Sequence, residues 1–256
     1  MPTDKRPPSP GGVTGWSPDC GHGLEAAGEL LATSEFSVVG RLPWSSNLTY
    51  LVSLDAAGDH PLDAVYKPAA GERSLWDFPD GLYRREVAAF ALSEALDWGI
   101  VPPTVLREDG PLGEGSLQLF VEVDYNQHYF TLYDEGGHEP VLQTMCAFDV
   151  VANNADRKSG HVLKGSDGRL WGIDHGLCFH RQPKLRTVIW DFADDPLPDT
   201  LRSDLAGVVS DLPDEVGCLL SGPERAAIQH RARHLVETGV FPEPLGDRPP
   251  YPWPLV

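Results

Sequence analysis

Basic charge is scarce in this chain, paired cysteine is missing, and no long apolar run occurs; each shortage removes a class of function. Lysine and arginine together number 20 against 38 aspartates and glutamates, a formal net charge of -18 over 256 residues. So acidic a molecule has no sequence-independent attraction for phosphate backbones or anionic lipid heads, and nucleic acid is not an expected partner. Cys20, Cys146, Cys178 and Cys218 stand far apart without a CxxC pair, a usage that fits reduced thiols better than a disulfide frame. No apolar run approaches the roughly 20 residues of a membrane span. The opening MPTDKRPPSPGG has no apolar stretch after its basic residues, and no basic amphipathic segment suited to a lipid surface is seen. The expectation is a soluble, cytoplasmic protein without stable membrane association. Internal repeats are also missing.

What is present is enough hydrophobic residue, 41%, to bury a core in one domain or in two small lobes sharing a cleft. Arginine outnumbers lysine, and Ala, Gly and Pro are plentiful, as in a high-GC bacterial source. Residues 1 to about 23 are rich in Pro, Gly and Ser and lack periodicity, so a disordered or loosely attached arm is expected, and truncation of residues 1–20 is expected to leave the melting temperature nearly unchanged. A short helix around Leu24–Ala32 precedes two β-like runs, Phe36–Leu42 and Leu48–Leu54, joined by the polar turn Pro43-Trp44-Ser45-Ser46-Asn47. A third strand, Ala64–Pro68, ends in a proline. Arg84–Trp98 reads as a helix with Val87, Phe90, Ala91, Ala95 and Trp98 on one face and Gly99 behind it. Strands are expected at Thr104–Leu106 and Ser116–Val123.

The second half changes character. A helix over about Val141–Ala152 leads into the polar loop Asn153–Gly160. A hairpin follows, His161–Lys164 and Leu170–Ile173, turned by Gly165-Ser166-Asp167-Gly168 and ending at Asp174. Thr200–Val209 and Pro223–Thr238 read as helices, the latter with Ser221 as cap and Gly239 after its end. Residues 241–256 form a Pro-rich tail.

Four charged residues carry the chemical argument. Phosphoryl transfer needs a lysine on the phosphates, an acid to hold that lysine, carboxylates for a metal and a base beside the acceptor hydroxyl. Lys67 ends a strand directly after the hairpin, and Glu86 lies in the first turn of the next helix, where it can pair with Lys67. Asp156 lies in a loop after a helix, and Asp174 ends the hairpin that follows, so one hairpin brings both aspartates to one cleft. Singly, each has a plain reading. Lys67 alone is a solvated strand-end lysine and Asp156 alone a turn former. An acid after Leu170-Trp171-Gly172-Ile173 at a buried strand end, however, needs a partner or a metal. At the hairpin tip, Ser45 and Ser46 are turn residues or phosphate binders, through backbone N–H groups rather than hydroxyls. His175 and His180 near Asp174 also allow a zinc-hydrolase reading with His161, although no HxH or HxxxH spacing accompanies them.

Tyr66-Lys67-Pro68, Arg84-Arg85-Glu86-Val87-Ala88 with Gly99-Ile100-Val101-Pro102-Pro103 behind it, Asn154-Ala155-Asp156-Arg157, and Ile173-Asp174-His175-Gly176-Leu177 together resemble the phosphatidylinositol 3- and 4-kinase-like family, in particular its small actinobacterial members, over roughly residues 35 to 240. The resemblance implies ATP and Mg2+ as cofactors, with Lys67 on the phosphates and Glu86 holding it. It also implies Asp156 as the acceptor-side base, Asp174 as the principal magnesium ligand, and the Phe120-Val121 backbone as the adenine-binding hinge, with Ser45, Ser46 and Asn47 in the phosphate-binding turn. The chain departs from the family where an Asn is usual five positions after the catalytic Asp. It has His161 there, a poorer ligand for a hard cation than oxygen, so one metal site is weakened or Asn153 or Asn154 contributes instead. Lys158 then serves to neutralise the γ-phosphate.

The expected fold is therefore α+β and two-lobed, protein-kinase-like, with an arm at 1–23, an N-lobe over 24–121, a C-lobe over 122–240 and a tail at 241–256. The expected function is transfer of the γ-phosphate of ATP to a hydroxyl of a protein or small-molecule acceptor. The alternative is a catalytically weak nucleotide-binding switch, motivated by His161. An inositol lipid acceptor follows from the family name only.

Overall fold

The computed structural model describes residues 15–20, 23–43, 45, 47–55, 62–244, 246 and 249–256. Chain order is α1 (Leu24–Thr33), β1 (Phe36–Arg41), β2 (Tyr50–Leu54), β3 (Leu62–Pro68), α2 (Leu82–Ala95), β4 (Thr104–Gly110), β5 (Gly113–Leu119), β6 (Val123–Asp124), α3 (Tyr129–Glu135), α4 (Glu139–Ala152), β7 (Val162–Gly165), β8 (Leu170–Gly172), α5 (Asp199–Ser210), α6 (Asp214–Gly217) and α7 (Gly222–Thr238). Five antiparallel strands in the order β1-β2-β3-β5-β4 make the N-terminal sheet, and β6-β7-β8 make a small second sheet beside the later helices. This is the α+β, β-rich then helical arrangement expected from the sequence.

Local chemistry explains the boundaries. β2 and β3 bury most of their length, including Val52, Ala64 and Tyr66, as central strands do. Lys67 of β3 sits opposite Ser116. Next to that pair, a Cβ on Gly115 would fall 2.5 Å from the Lys67 carbonyl oxygen, so the close approach of β5 requires glycine. α2 begins two residues before the expected Arg84, because the distant Glu72 carboxylate accepts the N–H groups of Gly81 (3.0 Å) and Tyr83 (2.6 Å). It also ends three residues before the expected Trp98. Asp97 takes the left-handed turn (φ 54°), and Ser93 then binds the returning chain, its Oγ accepting the Ile100 N–H at 3.0 Å. The expected strand Ser116–Val123 is two pieces, interrupted at residues 120–122 where the chain leaves one sheet for the other. Neither α3 nor the short α6 was expected; both are too brief for periodicity to reveal.

Residues 15–20 depart from the loosely attached arm expected of them. Trp16 is buried, its N–H donates to the Phe120 carbonyl at 2.6 Å, and its carbonyl accepts the Glu122 N–H at 2.9 Å. A Cβ on Gly15 would lie 2.7 Å from the Glu122 nitrogen, so the approach is as close as backbone allows. The Trp16 ring meets Trp171 of β8 edge-on at 6.4 Å between centroids. One large indole supplied the apolar area that composition averaged over the arm concealed.

Candidate active site

Lys67, Glu86 and Asp174 meet at the rim between the sheet and the helical half. Lys67 Nζ donates to Glu86 Oε1 and, at 2.8 Å, to Asp174 Oδ1. Glu86 is buried, and its second oxygen accepts the His175 N–H at 2.9 Å. One carboxylate thus holds the lysine and the backbone just after Asp174. Burial opposes the charge on Lys67, but Asp174 and Glu86 outweigh it and raise its pKa. Lys67 in turn holds Asp174 well below the ordinary carboxylate range, against the effect of burial. Burial pushes Glu86 up, with the lysine opposing. Asp174 has φ 60°, a strained value for a residue with a side chain, and its side chain remains 49% exposed toward the cleft.

A fully buried ion pair shapes the loop that carries Asp156. α4 ends in Asn153 at φ 54°. Asp149, one turn before that end, accepts from Arg157 Nη2 (2.9 Å), Asn154 Nδ2 (3.0 Å) and Thr187 Oγ1 (3.0 Å). Arg157 also donates to the carbonyls of His161 (3.2 Å) and Ile173 (3.1 Å) and to His175 Nε2 (2.8 Å). Since a guanidinium has only donors, His175 Nε2 accepts, and burial keeps that imidazole neutral. Asp149 and Arg157 are site residues to which the sequence assigns no role, and His175 enters there only as a candidate zinc ligand. Arg157 and His175 lay within the quoted motifs, and only their burial reveals what they do. Asp156 itself pairs with Lys158 (2.8 Å), and its pKa is raised by burial with Lys158 opposing.

His161 Nε2 lies 3.5 Å from Asp174 Oδ2, and burial pushes its pKa down to about 4 with Asp174 opposing. A neutral imidazole and an ionised carboxylate therefore face one another. Asn153 and Asn154 cannot supplement them. The Asn153 amide donates to the carbonyls of His180 (2.8 Å) and Gln182 (2.7 Å) and accepts the Lys184 N–H (2.8 Å), while Asn154 spans Asp149 and the Asp156 N–H. Both side chains are spent on structure. The zinc-hydrolase constellation also fails to assemble: His175 is taken by Arg157, the His180 ring packs on Phe78 at 5.1 Å and accepts the Gln182 N–H, and among the described residues no group of three His, Cys, Asp or Glu could hold a metal ion.

Lys67, His161 and Asp174 border a cleft of about 480 Å³ whose apolar walls include Leu42, Leu51, Val65, Leu119, Leu163 and Ile173; Glu86, Asp156 and Lys158 are not among the residues that line it. Phe120 and Val121 line it as well. The N–H of Phe120 goes to Asp63 O and its carbonyl to Trp16. Successive peptide groups in extended chain point to opposite sides, so the Val121 N–H and C=O face away from Trp16. Ser45 borders the cleft and its hydroxyl meets Thr49 Oγ1 at 2.7 Å. Asn47 does not, its Oδ1 accepting the Arg73 N–H at 3.0 Å. Ser46 lies outside the described residues.

No family model matches the chain. Protein Rv2133c of Mycobacterium tuberculosis is 40% identical over 263 residues, covering 88% of this chain and 94% of its own, and it fits the expected actinobacterial source. Phosphatidylinositol 4-kinase gamma 4 of Oryza sativa subsp. japonica is 32% identical over 124 residues, 41% of this chain but 22% of that protein. Among solved structures, hydra Fam20 with sugar superposes with a TM-score of 0.53 at 16% identity, covering 84% of this chain and 88% of its own. The golgi casein kinase gives 0.52 at 16% identity, covering 84% and 73%. Such identities speak for the fold alone, and that fold is kinase-like. The narrower phosphatidylinositol-kinase likeness stays confined to the segment shared with the rice protein.

Proposed function

Since this chain belongs to the family of Protein Rv2133c, whose name states no activity, its chemistry must come from its own residues, and we propose that it is a phosphotransferase moving the γ-phosphate of ATP to a hydroxyl. The observation that carries this is Lys67 Nζ held between Glu86 and Asp174, 2.8 Å from the latter, on the border of an apolar cleft. The Val121 backbone presents a donor and an acceptor for the edge of adenine, and the apolar walls sandwich its faces. Lys67, kept charged, contacts the phosphates, with Ser45 beside them. Asp174 supplies oxygen donors suited to magnesium, and His161 is a weaker neighbour for that ion. Bound magnesium would neutralise charge on the transferring group. Asp156 orients the acceptor hydroxyl and takes its proton as the oxygen attacks the γ-phosphorus and the bond to the bridging oxygen breaks, releasing ADP. Lys158, already on Asp156, offsets charge on the γ-phosphate.

One observation favours a weaker variant, a nucleotide-binding switch: His161 stands where an amide ligand is usual, and both neighbouring asparagines are committed elsewhere. The two aspartates decide between the readings. Asp174→Asn should weaken binding of the magnesium–nucleotide complex and abolish transfer. Asp156→Asn should spare binding and abolish transfer, because its contribution arises only on the way to the transition state. Calorimetry with ATP and magnesium, run beside transfer of labelled phosphate, reads both. Nucleotide binding by the wild-type protein without any transfer would leave the switch, and wild-type transfer by Asp174→Asn would end the kinase reading.

A further inference from the structure

Gln118 of β5 is a polar side chain set into the wall of the cleft, and the sheet fixes which of its two ends is free. It stands opposite Val65 of β3 on one side and Thr104 of β4 on the other, and Val65 lines the cleft with it. Only 7% of Gln118 is exposed. Its Nε2 lies 2.8 Å from Thr104 Oγ1, and the buried Thr104 hydroxyl gives its single proton to the Pro102 carbonyl at 2.8 Å. A hydroxyl whose proton is committed can only accept, so the end of the carboxamide turned to Thr104 is the amine end. The neighbouring backbone holds this chain in place, because the Leu119 N–H donates to Pro103 O at 2.8 Å.

The other end, Gln118 Oε1, makes no hydrogen bond among the described residues and is not closed off in the core. Gln118 borders the cleft, so this oxygen is open to what fills it. Covering such an acceptor with a donor is favourable, whereas covering it with apolar surface or a second acceptor leaves it unpaired at a cost. Nor can the group adapt by turning over, since its oxygen would then meet the Thr104 oxygen while the Thr104 proton stays on Pro102. The wall thus offers an acceptor of fixed sense.

Resting on the phosphotransferase reading, we infer that Gln118 selects the base of the nucleotide: its Oε1 accepts an N–H from the exocyclic amine of adenine, and a base with a carbonyl in that place, guanine or hypoxanthine, is turned away. The amine has two N–H groups, so one serves Gln118 and the other remains for the Val121 backbone. A site built around a hydrogen bond rejects a ligand of the wrong pairing far more strongly than an apolar pocket of the same shape.

Calorimetry on the full chain with magnesium compares ATP with inosine triphosphate, whose base has a carbonyl in place of the amine, and with purine riboside triphosphate, whose base has neither. Wild type should bind ATP tightest and the inosine nucleotide weakest, at least about tenfold apart, with the purine nucleotide between them. Gln118→Leu should weaken ATP and bring ATP and inosine triphosphate within about threefold of each other. Thr104→Val removes the atom that holds the amine end of the carboxamide and should narrow the same ratio by the opposite route, tightening inosine triphosphate because the side chain is free to turn and donate. A purely structural role for Gln118 would weaken all three nucleotides alike and leave their ratios unchanged. That result, equal binding of ATP and inosine triphosphate by wild type, or wild-type selectivity in Thr104→Val, would overturn the inference and leave the kinase reading intact. If Gln118→Leu fails to fold, Thr104→Val decides. Failure of all three nucleotides to bind wild type would instead remove the kinase reading and this inference with it.

Discussion

His161 shows how one residue sets the working range of the cleft. Its neutral ring faces the ionised Asp174 at 3.5 Å, the one nitrogen donor beside an oxygen donor. Its backbone carbonyl accepts the Ile173 N–H at 3.0 Å whatever the side chain. His161→Asn should therefore fold normally and, by offering an oxygen to a hard cation, tighten magnesium-dependent ATP binding several-fold. Titration of magnesium at fixed nucleotide checks this, and an unchanged or weaker metal dependence would place His161 outside the metal's reach. At Glu224 the same local logic concerns stability. It closes the capping box of α7 by accepting the Ser221 N–H and hydroxyl (2.9 and 2.7 Å), and it holds the buried Arg85 of α2. Glu224→Ala should cost about 3–5 kcal/mol in chemical denaturation, because Arg85 keeps a buried charge without its carboxylate. Burial raises the Glu224 pKa, but Ser221 and Arg85 outweigh it and the net shift is downward. Its contribution is thus fully present above the ordinary value of 4.5 and is lost as pH falls below it. Stability in wild type should drop more steeply below that pH than in Glu224→Ala, and parallel profiles would show that the pair does not act through charge.

At the scale of elements, the segment at Trp16 and the strand break at residues 120–122 belong together. Trp16 pairs with the outer edge of that linker, whose Phe120 and Val121 line the cleft. Trp16→Ala should destabilise the protein by about 3–5 kcal/mol, the usual cost of emptying a large buried site. It should also weaken nucleotide binding, since the linker loses the ring that anchors its outer side. Thermal melting beside nucleotide titration tests both; a melting temperature within a degree of wild type would mean that Trp16 is dispensable to the core. α2 carries the other coupling. Its Glu86 reaches Lys67 of β3 while its Leu92 and Ala89 are buried in the same hydrophobic core as Met145 and Phe148 of α4.

Over the whole molecule, the two halves share their cores. Trp171 of the second sheet is buried among the residues of the first, and α2 among those of the later helices. Unfolding should then be a single cooperative transition with equal calorimetric and van't Hoff enthalpies, and two resolved transitions would contradict the shared packing. Much of this architecture was legible in the chain. Strands around Lys67, the helix holding Glu86, and the hairpin ending at Asp174 follow from local periodicity, turn residues and caps, which act over a few positions. Order along the chain then sufficed to bring Lys67, Glu86 and Asp174 to one cleft. Other features were decided only by contacts between distant segments. Glu72 sets where α2 begins, Asp149 and Arg157 form a buried pair that no surface pattern betrays, Asn153 and Asn154 are consumed by backbone from residues 180–186, and Trp16 docks from an otherwise polar arm. Each of these is a polar or aromatic group whose role depends on which partner desolvates it, and the partner is fixed by packing rather than by neighbours in sequence.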